Sequence, residues 1–380
     1  MGTASIPNSI QLRSPRGVFA NEPFVDFKAP ENARAMRAAL EQVQSRLGRE
    51  YDLIIGGERL KTDDKIRSIN PARPAQVVGV HQKAGAAHAE KAMSAALRAF
   101  ESWSKVSANE RASLLLAVAQ IIRKRKFEFE AWLTYEVGKN WAEADADVGE
   151  TIDFLEFYAR EVLRLAAATT PIQYPGERNE LLYIPLGVGA VIPPWNFPFA
   201  IMAGMTAAAI VAGNTVILKP SSDSPTIAAK FVEVLEEAGM PDGVVNFCPG
   251  SGASFGNAIV EHSKTRFIAF TGSKSVGLKF MSAPLTPSPA RSGSNAPFSK
   301  WAAKIQSSSA PTPTSMQPSM ALWLRPLDSA GKNAPPVRAP SLKRLSTTFF
   351  WSAFESAWRA SLLAIRRPTT TWARSSTKPL

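Results

Sequence analysis

Residues 187–222 read GVGAVIPPWNFPFAIMAGMTAAAIVAGNTVILKPSS, and this stretch decides the fold. Its apolar run at 187–194 is typical of a strand, the apolar segment ending at Gly213 and Asn214 predicts a helix, and 215–220 predicts a second strand. Two strands joined by one helix at this spacing run parallel, with a right-handed crossover. The stretch therefore predicts an α/β protein built on a parallel, Rossmann-like sheet.

The same alternation continues to residue 280. Helices are predicted at 32–48, 86–104, 107–138, 146–166, 224–240, 253–262 and from 273, and strands at 51–60, 243–250 and 266–273. A nucleotide would bind at the carboxyl ends of such parallel strands. The pattern alone also fits an α/β enzyme that binds no nucleotide.

Composition changes abruptly after residue 280. Residues 281–380 hold 13 of the 44 Lys and Arg residues but only 2 of the 32 Asp and Glu residues, so nearly all of the net charge of +12 lies there. They also hold 13 of the 29 prolines and show no sustained period. We expect this tail to be irregular or disordered, although its five tryptophans are unusual for a solvated segment.

Several classes of protein are disfavoured. The single cysteine excludes an internal disulfide and indicates a reducing, cytoplasmic setting. No stretch approaches the roughly 18–20 apolar residues of a membrane helix, and the N-terminus has no signal-peptide pattern. We expect no membrane association and no metal site.

Two polar residues follow the first two strands. Asn196 lies between Pro194 and Pro198, where a rigid amide could donate to an oxyanion, but from this residue alone a structural turn asparagine is the better interpretation. Lys219 ends the second strand and could reach ribose hydroxyls or a phosphate; the alternative is a solvated lysine at a strand end.

Small residues follow the next two strands. Gly250, Gly252 and Gly256 approximate a phosphate-binding glycine loop, which is a weak signal because glycine is common at such turns. Phe270-Thr271-Gly272-Ser273, with Gly277, places small donors at a helix N-terminus, where a pyrophosphate is favoured. The combination is more specific than any single motif.

PWNFP, LKPS, PGSG and FTGS, in this order and spacing, resemble the aldehyde dehydrogenase superfamily. The resemblance covers residues 23–280, including SINPARP at 68–74 and EVGKNWAEADADVGETIDF at 136–154. The segment NEPFVDFKAPENARAM at 21–36 is similar to the bacterial 1-pyrroline-5-carboxylate dehydrogenase branch. That branch implies oxidation of L-glutamate γ-semialdehyde, a small-molecule substrate, to L-glutamate during proline degradation.

The resemblance implies a role for particular residues. Asn196 would hold the oxyanion, Lys219 would bind ribose and Ser273 would contact the pyrophosphate. Further cofactor-binding residues are implied at Ile192, Pro194, Trp195, Ser221, Ser222, Gly252, Gly256, Phe270, Thr271 and Gly272. Members that prefer NAD often carry Glu where this chain has Ser222, so the choice between NAD and NADP stays open. A homo-oligomer is implied for the intact parent.

The family's nucleophilic Cys and general-base Glu have no counterpart here. Cys248 is the only cysteine, but its place in VVNFCPG predicts a buried strand residue. The family carries its Cys and Glu further on, in motifs of the type G-Q-K-C and E-M-G-G-K, and the tail contains neither.

When its codons are read in another frame, the tail resembles family sequence. If one base is lost near Lys279, residues 298–305 permit L-E-M-G-G-K-D, and 331–340 permit Q-K-C-S-A-C-S-R-A; segments at 310–328 and 361–376 permit further family motifs. The chain then divides into an N-terminal extension with a helix (1–50), an NAD(P)-binding domain (51–280) and a frameshifted tail (281–380).

Such a chain should be catalytically dead. Two other interpretations remain: a nucleotide-binding pseudoenzyme whose tail is real, and a nucleic-acid-binding protein with a basic tail. The decoded frame argues against nucleic acid as a partner.

Overall fold

The computed structural model describes residues 19–167, 171–173, 175–176 and 179–282, together with the backbone of 362–366. The predictions for residues 1–18 and for the rest of the 281–380 tail lie outside the described residues.

The described residues form helices and strands in close alternation. The helices are α1 (Pro30–Gln44), α2 (Ala86–Trp103), α3 (Ala108–Lys124), α4 (Lys126–Val137), α5 (Trp141–Ala166), α6 (Ala200–Val211), α7 (Pro225–Glu237), α8 (Asn257–Glu261) and α9 (Lys274–Ser282). The strands are β1 (Arg49–Tyr51), β2 (Leu53–Ile55), β3 (Glu58–Leu60), β4 (Lys65–Asn70), β5 (Arg73–Gln82), β6 (Leu181–Pro185), β7 (Val188–Ile192), β8 (Thr215–Leu218), β9 (Val245–Phe247), β10 (Thr265–Phe270) and β11 (Leu362–Arg366).

The central sheet has the strand order β10-β7-β8-β9-β2-β3. Its first four strands are parallel, which confirms the predicted α/β fold. The hairpin of β2 and β3 extends the sheet with antiparallel strands. The chain passes from β7 to β8 to β9 in one direction and then places β10 on the other side of β7. The strand order therefore reverses between β7 and β10, where open α/β sheets bind ligands.

Helices cover both faces of this sheet. Val191, Val216 and Leu218 point into the larger core, which α3 to α7 complete. Ala190, Ile192 and their neighbours point into a second core against α2 and α8. The strands are buried on both faces, which explains why they read as continuous apolar runs.

A second sheet, of order β1-β5-β4, was missed by the pattern analysis. β4 and β5 pair antiparallel over Lys65–Asn70 and Arg73–Gln82. Polar residues fill most of their exposed positions, so neither strand shows a long apolar run.

Two helix predictions need correction. The helix predicted at 107–138 is two helices, because Arg125 leaves the helical conformation with φ −107° and ψ 22°. The helix predicted from 146 begins earlier, at Trp141, since the Asn140 side chain accepts a hydrogen bond from the Glu143 amide and caps it.

Five residues of the tail have a described backbone. Leu362–Arg366 pairs antiparallel with Leu181–Pro185, which differs from the irregular backbone predicted there. The apolar sequence LLAIR suits such a strand. Within the described ranges, no helix combines the length and apolar character needed to cross a membrane.

Candidate functional site

The candidate site lies along the edge where the four parallel strands end. Asn196 follows β7, Lys219 follows β8, the turn with Gly252 follows β9, and Ser273 follows β10. Parallel strands place their carboxyl ends at one edge, so the topology brings these four segments together. Among the described residues, no group of three His, Cys, Asp or Glu side chains could hold a metal ion.

The loop after β7 presents aromatic and amide side chains. Pro194 and Asn196 are half-buried, whereas Trp195 is 55% exposed and Phe197 is 40% exposed. Pro198 is buried and anchors the loop, and α6 begins two residues later. Large apolar side chains at this exposure are suited to cover a planar ligand.

Lys219 is buried at the end of β8. Its Nζ atom donates to the carbonyl oxygens of Pro220 at 3.0 Å and of Gly250 at 3.2 Å. Burial lowers the pKa of this ammonium to about 8, with a smaller opposing contribution from Asp223. A cation with two exchangeable carbonyl contacts can turn to a ligand's hydroxyl or phosphate oxygen.

The turn after β9 packs its backbone closely against its neighbours. A Cβ atom on Gly250 would lie 2.8 Å from the Ala84 carbonyl oxygen, so no larger residue fits there without movement. A Cβ on Gly256 would lie 3.5 Å from Cδ of Lys219, whereas Gly252 faces open space. Ser251 accepts a hydrogen bond from the Ser254 amide and caps the π-helical turn Gly252–Gly256. The turn therefore exposes its backbone at Gly252 close to the buried ammonium of Lys219.

The segment after β10 lies directly beside β7. The Thr271 amide donates to the Ile192 carbonyl oxygen at 3.2 Å, which joins the ends of these two strands. Phe270 is buried against Phe280, with ring centroids 5.0 Å apart. Ser273 is exposed, and its Oγ lies 3.4 Å from the Val276 amide at the start of α9. Gly272 is half-buried between these residues.

Ser221 and Ser222 follow Lys219 at the rim of the site. Ser221 is half-buried, and Ser222 is exposed beside Asp223. The structure therefore brings the predicted site residues to one edge of the sheet, while their roles stay predictions.

Cys248 lies in the core, as predicted. It is fully buried next to the sheet, and burial strongly raises the pKa of its thiol. Because it is the chain's only cysteine, no thiol faces the candidate site.

Sequence reasoning missed three buried charges behind the site. Glu136, at the end of α4, accepts hydrogen bonds from the Thr226 and Ile227 amides at the start of α7, at 2.6 and 2.7 Å. Lys139 donates to Asp147 at 2.9 Å, and both side chains are almost fully buried. Acidic residues on the apolar face of a helix are the signal that could have revealed them, because such charges are buried only with partners.

The segment Glu136–Asn140 carries two of these charges, Glu136 and Lys139. Gly138 adopts a left-handed conformation, φ 69°, which ends α4 and turns the chain. Lys139 then enters the interior, and Asn140 caps α5. Five consecutive residues thus attach α4 and α5 to the elements that carry the site.

Comparison with known proteins identifies relatives of this arrangement. The model of the aldehyde dehydrogenase family matches residues 59–298. The chain is 57% identical over 261 residues to a 1-pyrroline-5-carboxylate dehydrogenase of Geobacillus thermodenitrificans, covering 69% of this chain and 51% of that protein. A Bacillus cereus protein with the same name is 54% identical over 261 residues, again covering 69% and 51%.

The solved structures that resemble this chain include proteins of the same name. A mutant of Thermus thermophilus 1-pyrroline-5-carboxylate dehydrogenase superposes with a TM-score of 0.72 at 49% identity, covering 77% of this chain and 55% of that one. A Thermus enzyme of the same name, with bound NAD, gives a TM-score of 0.71 at 48% identity, with 77% and 56% covered. The chain spans about half the length of the curated relatives it matches.

Proposed function

The chain belongs to the aldehyde dehydrogenase family, and we propose that its residues 51–280 are the NAD(P)-binding half of a 1-pyrroline-5-carboxylate dehydrogenase. The observation that carries the proposal is the reversal of strand order between β7 and β10, with four candidate segments at that edge. The relatives at 57% and 54% identity support the choice of branch.

The residues at the edge fit a dinucleotide. Lys219 offers an ammonium that can replace its two carbonyl contacts by ribose hydroxyls. The backbone N–H groups of the exposed turn at Gly252 and the hydroxyl of Ser273 can donate hydrogen bonds to a pyrophosphate at the helix start. Ser221 and Ser222 would border the adenosine ribose. The rest of the cofactor would be enclosed by Ile192, Pro194, Trp195, Gly256, Phe270, Thr271 and Gly272.

Asn196 would act on the substrate. Its amide N–H would donate to the aldehyde oxygen as negative charge develops there, which lowers the barrier to nucleophilic attack. In the intact parent, the cofactor held by these residues would supply the hydride acceptor for the oxidation. The proposed substrate is L-glutamate γ-semialdehyde and the product L-glutamate.

This chain should bind the cofactor without completing the oxidation. Its only thiol, Cys248, is buried and held neutral, so it cannot attack an aldehyde. The family's nucleophilic Cys and general-base Glu belong to a later part of the protein. This chain does not contain the motifs of that part in its own reading frame.

We propose that residues from about 281 onward are an out-of-frame translation of that missing part. The support is the set of family motifs decoded from the tail in order, and the loss of acidic residues and glycines there. The family match ends at residue 298, so the proposed change of frame falls inside its last part. Intact-protein mass and peptide sequencing of the expressed chain test whether the tail is translated as written.

The test of cofactor binding is calorimetric titration of the full chain with NAD and, separately, NADP. Binding of either, with no reduction of cofactor when 1-pyrroline-5-carboxylate is added, is the expected result. Absence of binding by both would overturn the proposal. Oxidation of the aldehyde with reduction of the cofactor would instead contradict the proposal that this chain is catalytically inactive.

A further inference from the structure

Helix α6 begins without a cap of its own. Phe199 precedes it with φ −91° and ψ −58°, and makes no capping hydrogen bond with its side chain. The first amides of a helix need acceptors, and a buried start without them is costly. This start matters because α6 follows directly on the loop that carries Trp195 and Asn196.

Asp147 supplies the missing acceptor from a distant part of the chain. Its Oδ1 accepts from the Ala200 amide at 2.7 Å, across 53 residues of sequence. The carboxylate is completely buried. A carboxylate at a helix N-terminus is stabilised both by the amide and by the helix dipole.

Lys139 neutralises this carboxylate and contacts the loop. Its Nζ donates to Oδ2 of Asp147 at 2.9 Å. The same Nζ lies 4.0 Å from the centroid of the Phe197 ring, a cation–π contact. One ammonium therefore touches both the cap of α6 and the residue after Asn196.

We propose that Lys139 and Asp147 are positioning residues that set the loop of residues 193–199 against the candidate site. They touch neither cofactor nor substrate; they act through the Ala200 amide and the Phe197 ring. The inference rests on the proposed function, in which Asn196 holds the oxyanion and Trp195 encloses the cofactor. Charge, rather than packing volume, is the property that the pair requires.

A second lysine–aspartate pair, whose aspartate also lies on α5, offers a matched control. Lys126 lies 2.6 Å from Oδ1 of Asp145, and these side chains are 10% and 2% exposed, against 9% and 0% for Lys139 and Asp147. Asp145 accepts from the Val25 amide and so holds the N-terminal segment, not α6. The two pairs are equally buried but serve different elements.

The test is hydrogen exchange of the full chain without cofactor, followed by mass spectrometry of peptides covering 193–204. Lys139→Met keeps the side-chain volume and removes the charge; Asp147→Asn keeps the shape and removes the ion pair. Each should speed exchange at 193–204 by about tenfold, the effect of losing one charge-assisted hydrogen bond. Lys139→Arg keeps the charge and the cation–π contact, and should leave protection within about twofold of that in the unsubstituted chain.

The control Lys126→Met should leave 193–204 unchanged and speed exchange in residues 19–28 instead. The proposal is overturned if Lys126→Met loosens 193–204 as much as Lys139→Met, or if both Lys139→Met and Asp147→Asn leave it protected. If Lys139→Met does not fold, Asp147→Asn and Lys139→Arg decide the question alone. None of these results depends on cofactor, so a failure of NAD(P) binding by the unsubstituted chain is recognised separately.

Discussion

The Nζ atom of Lys219 lies 3.2 Å from the carbonyl oxygen of Gly250, so the side chain after β8 is tied to the turn after β9. A cofactor that uses this ammonium must displace that contact. The two strand ends are therefore joined through the buried side chain of Lys219.

Replacing Lys219 should weaken cofactor binding. Lys219→Met removes the donor but keeps most of the volume, and we expect the Kd for NAD to rise by about tenfold or more, as for loss of a charged hydrogen bond. Calorimetric titration measures the change. Lys264→Met, an exposed lysine before β10 at the opposite edge, is the control and should not alter the Kd.

The same lysine predicts how binding depends on pH. Its pKa is lowered to about 8 by burial, so the ammonium is present below that pH and is lost above it. Affinity for NAD should therefore fall as pH rises from 7 to 9, and should do so less steeply in Lys219→Met. A Kd that is flat over this range in the unsubstituted chain would argue against a direct role for the ammonium.

His81 should make the fold sensitive to acid. Burial, with a smaller contribution from Lys230, lowers its pKa from 6.5 to about 3. Between these values the unfolded chain binds a proton that the folded chain does not, so the contribution of His81 to the free energy of unfolding should fall by about 1.4 kcal/mol per pH unit on acidification. Urea unfolding of His81→Phe from pH 7 to 4.5 should lack this contribution, whereas His262→Gln, at a half-buried histidine, should keep it.

Glu130 predicts the opposite pH dependence. Burial, followed by the nearby Asp145, raises its pKa to about 8, so the folded chain holds a proton that the unfolded chain releases above pH 4.5. This contribution to stability is lost as pH rises from 4.5 to 8. Glu130→Gln imitates the protonated form and should raise the free energy of unfolding by about 4 kcal/mol at pH 7.5 and by under about 1 kcal/mol at pH 5.

The matched control for that variant is Glu143→Gln, an exposed residue of α5. Its effect on the unfolding free energy should stay within about 0.5 kcal/mol at both pH values. An equal gain in both variants would show that burial of Glu130 is not the cause.

The thiol of Cys248 should be inert in the folded chain. It is fully buried and its pKa is raised, so almost no thiolate is present at pH 8. A disulfide reagent such as dithiobis-nitrobenzoate should label no cysteine before unfolding and one after it. Rapid labelling of the folded chain would contradict the assignment of Cys248 to the core.

The sequence alone predicted the central sheet well, for a physical reason. β7 to β10 are buried on both faces, so their apolar runs stand out between glycine turns. β4 and β5 were missed because their exposed faces are polar and their apolar positions are sparse. The break at Arg125 carries neither Gly nor Pro, so no local signal reveals it.

The candidate site, too, could be predicted from the sequence only in part. The positions of Asn196, Lys219 and Ser273 at one edge of the sheet were predictable because each follows a recognisable strand, and topology then places strand ends together. Lys139 and Asp147 were missed because their roles depend on α6 lying against α5, a contact that no local pattern reports. Buried ion pairs of this kind are visible only when tertiary structure shows both partners.

The most direct measurement is to insert one base near codon 279 and compare the product with the 380-residue chain. Both proteins are assayed for NAD(P)-dependent oxidation of 1-pyrroline-5-carboxylate. We expect that the frame-restored protein, which regains a Cys and a Glu in family motifs, oxidises the substrate while the chain as written does not. Oxidation by the chain as written, or a folded but inactive frame-restored protein, would contradict this expectation.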